Sequence, residues 1–423
     1  MGVLIPILLS SCSLPVSITT KLPWLNQVQS LDCDRVRVGA LLADNTSQVA
    51  NEQRDGYELA LAEIKQNGGL AGCDLKLFFQ VEAPDNNPRQ TYQAVRSLVE
   101  EDRVLALVGA TTNTGSMMAA SLSNYFFTPM LVPSAGGNHI LPPDNRWAFR
   151  LHADESVYAQ TVFDLVKAKA GTGIQTVIVF EDTSFGNDAA IAAANSAKLN
   201  EQPVIGYFPY RAEGSGVDVL SKNVIALNPQ LIYLIFTDTT QAESILNAIH
   251  KEKGNAQIIE IARSGGFASQ VFLQAASKEA NASANNLILS ASWSGQMVAE
   301  TANDDSFQAR FSKYTLEKYG AAQHPSLYSA EAYKSLMIVA SSLKNILGSQ
   351  ATQPTDISKI RENLRQVLFD YKESTSTWGV IDFSNGGQNQ AQVILLQMLG
   401  SKWQVVYPAA RATSELLLDY ELR

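Results

Sequence analysis

The sequence predicts an α/β protein built from two doubly wound, parallel-sheet lobes with a ligand cleft between them. From residue 36 onward, apolar β-rich runs alternate with helical stretches, the pattern of strands covered by helices on both faces. The alternation falls into two series of similar length. The chain has 423 residues, and at roughly 100–200 residues per domain that means two or three domains. Hydrophobic residues make up 46% and charged residues 17%, a globular and not a disordered composition. The net charge of −9 argues against a nucleic-acid partner, whose phosphates require clustered Lys and Arg. No apolar run reaches the ~18–20 residues that span a bilayer.

The first series of strands is VRVGALL (36–42), LKLFFQV (75–81), VLALVGA (104–110) and PMLVP (129–133). Between the first two lies GYELALAEIKQNGG (56–69), where Leu59, Ala62 and Ile64 have helical spacing and Gly68-Gly69 supply a stop. The second series is TVIVFED (176–182), PVIGYF (203–208), LIYLIF (231–236) and IIEIA (258–262). NLILSAS (286–292) follows, then helices near 303–319, 326–347 and 356–369, then hairpin-like segments at 380–387 and 391–399. A chain that completes one lobe, builds a second and returns needs several crossovers, and these make a hinge with a cleft between the lobes. The expected division is lobe 1 at 34–153 plus 293–380, lobe 2 at 154–292 plus 381–410, and a tail at 411–423.

The N-terminus reads MGVLIPILLSS before Cys12, an apolar stretch with a box that resembles a bacterial lipoprotein export signal, where a lipid is attached to the Cys. Such a signal begins with a charged segment. The first Lys or Arg is Lys21, so the start is expected to lie further upstream. Residues 13–33 are rich in Ser, Pro, Thr, Asn and Gln and read as a flexible spacer. Cys33 and Cys73 each precede a predicted strand. If those strands are parallel neighbours, both sulfurs fall at one sheet edge and a disulfide can form, as suits an exported chain.

In open parallel sheets, ligands sit off the carboxyl ends of the strands. The loops there carry Thr112 and Asn113, Ser134 and Gly136, Phe185, Asp238, and Arg263 with Ser264. Hydroxyls, amides and glycines dominate, residues that cap helix N-termini and leave N–H groups for an anion. Motifs of hydrolases, phosphate loops and zinc proteases are missing, and the four histidines form no cluster, so neither catalysis nor a cofactor or metal is expected.

Several stretches resemble the type I periplasmic binding proteins, the leucine/isoleucine/valine-binding group of ABC transporter lipoproteins. RDGYELALAEIKQNGGLAGCDLKL (54–77) is similar to the family's G-x-x-L-A-x-x-E-I-N-x-x-G-G-I-x-G stretch. TPMLVPSAG (128–136), FRLHADESVYAQ (149–160) and VIVFEDTSFGNDAA (177–190) match later segments in order, as do 82–110, 330–343 and 379–388. The resemblance implies two Rossmann-like lobes joined by a three-strand hinge, and capture of a small solute outside the cytoplasmic membrane. It also implies delivery to ABC permease subunits by a lipid-anchored protein. Carried over by position, Thr112 or Asn113, Ser134 and Gly136 would grip a carboxylate, Asp154 would face an ammonium, and Phe185 would lid the ligand. Two departures stand out: Gly136 replaces the usual Thr, and Arg263-Ser264 stand where some members place an acid. Asp238 is then the substitute ammonium partner, or Arg263 binds an acidic group of the ligand. The reading is a solute-binding protein for an amino acid or related small polar solute; the alternative is a sensory subunit of the same fold.

Overall fold

The computed structural model describes residues 33–82, 87–211, 216–263, 265–269, 271–272, 275, 284–294, 306–348, 356–375, 378–400 and 402–418. Cys12 and Ser264 lie outside them.

Lobe 1 holds a five-stranded parallel sheet of β1 (Arg37–Leu42), β2 (Lys76–Val81), β3 (Ala106–Val108), β4 (Met130–Val132) and β5 (Ala148–Arg150), in the order β2-β1-β3-β4-β5. Its helices are α1 (Gln48–Gln66), α2 (Pro88–Arg96) and α3 (Asn113–Tyr125). Lobe 2 begins with α4 (Glu155–Ala170) and β6 (Thr176–Glu181), then α5 (Ser184–Leu199), β7 (Val204–Tyr210), α6 (Val217–Ala226), β8 (Leu231–Ile235), α7 (Thr239–Lys253), β9 (Ile259–Arg263), a short α8 (Gly265–Ala268) and β10 (Ile288–Ala291). The chain then forms α9 (Phe307–Tyr319), α10 (Leu327–Gly348), α11 (Ile357–Phe369) and the β11 (Lys372–Thr375)–β12 (Gly379–Asp382) hairpin. It ends in β13 (Ile394–Leu399) and β14 (Lys402–Tyr407), which extend the second sheet to β14-β13-β10-β9-β8-β6-β7. That sheet is parallel except where β13 pairs antiparallel with β10 and with β14.

The apolar runs are continuous because both faces of each strand are buried. Val38, Ala40 and Leu42 of β1 pack against Tyr57 and Ile64 of α1 and Leu336 and Leu343 of α10, while Leu41 faces Leu98 and Leu107 on the other side. In β6, Val177 and Val179 meet Ile245 and Ile249 of α7, whereas Ile178 and Phe180 meet Phe163 of α4 and Ala193 of α5. The α1–α10 contact is so close that a Cβ at Gly56 would sit 2.1 Å from the Ser329 carbonyl oxygen.

Three details differ from the sequence expectation. The hairpins pair β11 with β12 and β13 with β14, so the segments 380–387 and 391–399 each supply one strand of a different hairpin. Ile381 and Phe383 belong to the lobe 1 core, so the last crossing comes after 383 and not after 380. Phe307 and Phe311 of α9 pack with Trp293 in the lobe 2 core, which also takes in Leu59 of α1. Cys33 and Cys73 sit at the N-terminal edges of β1 and β2 and are joined by a disulfide, with Cα atoms 5.1 Å apart. Among the described residues, no helix is long and apolar enough to cross a membrane.

Candidate functional site

Between the carboxyl ends of the two sheets lies a cavity of about 710 Å³. Lobe 1 contributes Asp44 and Ser47 after β1, Thr111–Asn113 after β3, and Ser134–Gly136 after β4. Lobe 2 contributes Glu181, Thr183 and Phe185 after β6, Thr237 and Asp238 after β8, and Arg263 and Gly265 around the end of β9. His152, Leu327 and Tyr328 close the hinge side. The lobes also touch directly: Asn113 Nδ2 donates to Asp188 Oδ2 at 3.4 Å, and Thr114 Oγ1 to Ser184 Oγ at 3.2 Å.

The helix N-termini that the sequence offered to a ligand anion are partly filled from within. Thr112 caps α3, its Oγ1 accepting the Gly115 N–H at 3.0 Å. The N–H groups of Thr111 and Thr112 both donate to Oε1 of Glu82, at 2.8 and 2.7 Å, and Glu82 is fully buried. Glycine is required at 115, where a Cβ would lie 1.9 Å from Glu82 Oε2. Lobe 2 repeats the device. Buried Glu181 accepts from the Thr237 N–H at 2.6 Å and from the hydroxyls of Thr237 and Thr183 at 2.8 Å. Each lobe therefore supplies its own carboxylate to donors that would otherwise face the ligand.

The Ser134–Gly136 loop is different. Ser134 Oγ accepts from Gln53 Nε2 at 3.4 Å and its hydroxyl bonds the Glu331 carboxyl, while among the described residues the N–H groups of Ala135 and Gly136 have no protein acceptor. Two N–H donors in one loop form an acceptor-hungry corner of the cavity. The side chain missing at 136 makes room for an ion pair. A Cβ there would stand 2.0 Å from Glu155 Oε1, which accepts from Arg263 Nη2 at 2.7 Å while Glu155 Oε2 accepts from Arg263 Nε at 2.9 Å. Both side chains are buried, and the guanidinium lies 3.6 Å over the Tyr158 ring and 6.0 Å from the Phe185 ring. Burial works against the Arg263 charge, but the Glu155 carboxylate outweighs it and raises the guanidinium pKa. Burial likewise raises the Glu155 pKa, with Arg263 pulling it back. A guanidinium does not give up its proton in a protein, so the pair stays ionised. Arg263 is thus neutralised by its own chain.

Behind this pair lies a neutral network. His152 Nδ1 donates to the Ala153 carbonyl at 2.7 Å, which fixes the tautomer, and Nε2 accepts from the Tyr158 hydroxyl at 2.9 Å. Burial, reinforced by the Arg263 charge, holds the His152 pKa well below its ordinary value. Glu331 of α10 accepts from Ser292 Oγ at 2.6 Å, and burial pushes its pKa up to about 8. His152 and Glu331 stand 3.7 Å apart, both uncharged at neutral pH.

Of the residues named from sequence, the structure brings Thr112, Asn113, Ser134, Gly136, Phe185, Asp238 and Arg263 to the cavity. Asp154 does not line the cavity. It caps α4, accepting the Val157 N–H at 3.1 Å, with its other oxygen 3.8 Å from Arg150 Nη2, and it faces a groove on the outside of lobe 2 beside Val157 and Gln160. A cap carboxylate must turn back onto its own helix, and here the next residue, Glu155, is the one directed inward. Asp238 also caps a helix, accepting the Gln241 N–H at 2.8 Å through Oδ1, but does so at the cavity wall. Sequence reasoning missed Asp44, Glu82, Glu155, Glu181 and Glu331 as site residues. For Asp44, Glu82 and Glu181 an acid at the end of an apolar strand was the available signal; Glu155 and Glu331 lie on helices and offered none.

Residues 35–402 match the periplasmic binding protein family. The chain belongs to the type I periplasmic binding proteins. Solved structures of this fold confirm the architecture. An ABC transporter substrate-binding protein from Desulfitobacterium hafniense in complex with Leu is 20% identical, covering 87% of this chain and 99% of that one at a TM-score of 0.63. A branched-chain amino acid transporter substrate-binding protein from Streptococcus pneumoniae, in complex with isoleucine, is 18% identical over 90% and 100% of the two chains, with a TM-score of 0.66. A solute-binding protein from R. palustris in complex with benzoate is 16% identical over 92% and 99%, with a TM-score of 0.70. No curated protein matches the chain. This periplasmic binding protein is therefore an extracytoplasmic solute binder, and its interlobe cavity is the place where a solute would be held.

Proposed function

We propose that this periplasmic binding protein captures an amino acid or related small carboxylate-bearing solute and passes it to an ABC importer. The observation that carries the reading is the Ser134–Gly136 corner, where the N–H groups of Ala135 and Gly136, which no described residue satisfies, face the cavity beside the Ser134 hydroxyl. A carboxylate accepts from both N–H groups. The structural relatives crystallised with leucine, isoleucine and benzoate support the same choice, because those ligands share a carboxylate on a small apolar body. Asp238, reaching the cavity from the opposite lobe, is the partner for an ammonium, and Phe185 covers the apolar part. Arg263 does not bind the ligand carboxylate, since Glu155 already holds it.

A solute gripped by both lobes favours the closed state, because only that state makes both sets of contacts. Micromolar affinity corresponds to about −8 kcal/mol, within reach of several charge-assisted hydrogen bonds in a cleft that excludes water. The same reading places a lipid on Cys12 and the protein on the outer face of the cytoplasmic membrane, with no turnover of the bound solute. A thermal-shift panel of amino acids, amides, urea and small acids tests it, followed by calorimetry on Asp238→Asn. The variant should lose about tenfold or more for an amino acid and little for the same acid without its amine. Equal losses for both ligands would remove Asp238 from the ammonium site, and a panel without a hit would remove the carboxylate reading.

A further inference from the structure

We propose that the solute carries, beyond its carboxylate, a terminal cationic group that reaches Asp44, so that the substrate class is a basic amino acid or an equally long ω-cationic carboxylate. This rests on the reading above that the carboxylate sits at Ser134–Gly136. The sheet supplies the ruler. Asp44 follows β1 and Ser134 follows β4, with only β3 between them in the strand order. Adjacent strands lie about 4.8 Å apart, so the two loops stand roughly 10 Å apart along the sheet edge. An extended lysine-type chain covers roughly 6 Å from Cα to its nitrogen, and charge-assisted hydrogen bonds of about 2.8 Å at each end close the remainder. A leucine-sized side chain stops well short. The cavity continues over that whole distance, and Val49 and Val81 line its β1 end, where they suit the methylene stem of a long cationic side chain.

The charges agree with the distance. Asp44 Oδ1 accepts the N–H groups of Thr46 and Ser47 at 2.6 and 2.5 Å, the hydroxyls of the same two residues bond the carboxylate as well, and no cation among the described residues pairs with it. Burial alone would raise the Asp44 pKa, but the Ser47 and Thr46 hydrogen bonds outweigh it and hold the group below its ordinary value, ionised at neutral pH. Among the described lining residues the sole cation is Arg263, already engaged by Glu155. Arg54, the first cation after Asp44 in sequence, donates to Asn45 at 3.4 Å and stacks 4.5 Å over Phe79, and it does not line the cavity. A cation from the solute is what this end of the cleft lacks.

The test is titration calorimetry of the full chain with lysine, arginine, leucine and norleucine, the last matching the lysine stem without its amine. Lysine or arginine should bind about 10- to 100-fold more tightly than norleucine. Asp44→Asn keeps the acceptor that holds Thr46 and Ser47, so it should collapse that ratio by weakening lysine and arginine far more than norleucine. Norleucine or leucine binding as tightly as lysine to the wild type overturns the cationic class and leaves the carboxylate corner standing. A ratio untouched in Asp44→Asn also overturns it. Absence of binding by all four ligands overturns both readings. The wild-type ratio decides the matter even if the variant does not fold.

Discussion

Replacing Arg263 with Met takes the guanidinium away from a carboxylate that is 1% exposed. Glu155 receives both of its side-chain hydrogen bonds from Arg263, at 2.7 and 2.9 Å, which leaves only the more distant charge of Arg150 to favour its ionised form. Breaking a buried pair from one side costs about 3–5 kcal/mol, because the remaining ion keeps its desolvation penalty without its partner. The stacking on Tyr158 at 3.6 Å is lost as well. The deficit should depend on pH in a definite sense. Burial already holds the folded-state pKa of Glu155 above the unfolded value of about 4.3, and losing Arg263 raises it further, so the folded variant binds the proton still more tightly than the wild type. Stability of the variant should therefore fall as pH rises above that value and recover in acid. Urea denaturation of the ligand-free protein at pH 5 and pH 8 reads this directly. Glu155→Gln combined with Arg263→Met should regain most of the loss, since no buried charge remains. If the single variant is as stable as the wild type, or the double variant no more stable than the single, the pair is not structural and Arg263 is available to an acidic ligand after all.

Asp154→Ala should leave ligand affinity within about twofold in calorimetry while costing roughly 1 kcal/mol of stability, the worth of a helix N-cap. A large affinity loss would return Asp154 to the site. Glu331, with a pKa near 8 in the folded protein, binds its proton more tightly there than in the unfolded chain, so its contribution makes stability decline as pH rises toward 8. His152 acts in the opposite sense below about 6.5, so the clean window is pH 6.5–8, where Glu331→Gln should remove a decline of about 2 kcal/mol in denaturation experiments. The same slope in variant and wild type would contradict the buried acid. Reducing Cys33–Cys73, which closes a 40-residue separation, should lower stability by about 4 kcal/mol in the chain-entropy model. Mass spectrometry without reduction should show no free thiol at either position.

Much of the fold was legible because buried parallel strands announce themselves. Runs such as TVIVFED and LIYLIF are apolar on both faces, and the structure puts helices on both sides of them. The short β5 was not read as a strand, since three residues give no period, and β14 was missed because Lys402 and Gln404 break its apolar run. The cavity loops were found by their place after the strands, which needs no knowledge of side-chain direction. The acids were not. Glu155 sits one residue beyond Asp154 in the sequence, and only the start of α4 decides which of the two caps the helix and which turns inward. Glu82 reaches Thr111 across 29 residues and Arg263 reaches Glu155 across 108, pairings fixed by tertiary packing alone. The Gly136 departure from the family pattern becomes intelligible only with that pair in place, because a Cβ would occupy the space of the Glu155 carboxylate.

The account turns on where a solute carboxylate goes, and a crystal structure of the protein with a calorimetrically identified ligand measures that position. The carboxylate should lie about 2.7–3.1 Å from the N–H groups of Ala135 and Gly136, with Arg263 still paired to Glu155. A carboxylate seated on Arg263 with Glu155 displaced, or a ligand held outside the interlobe cavity, would contradict it.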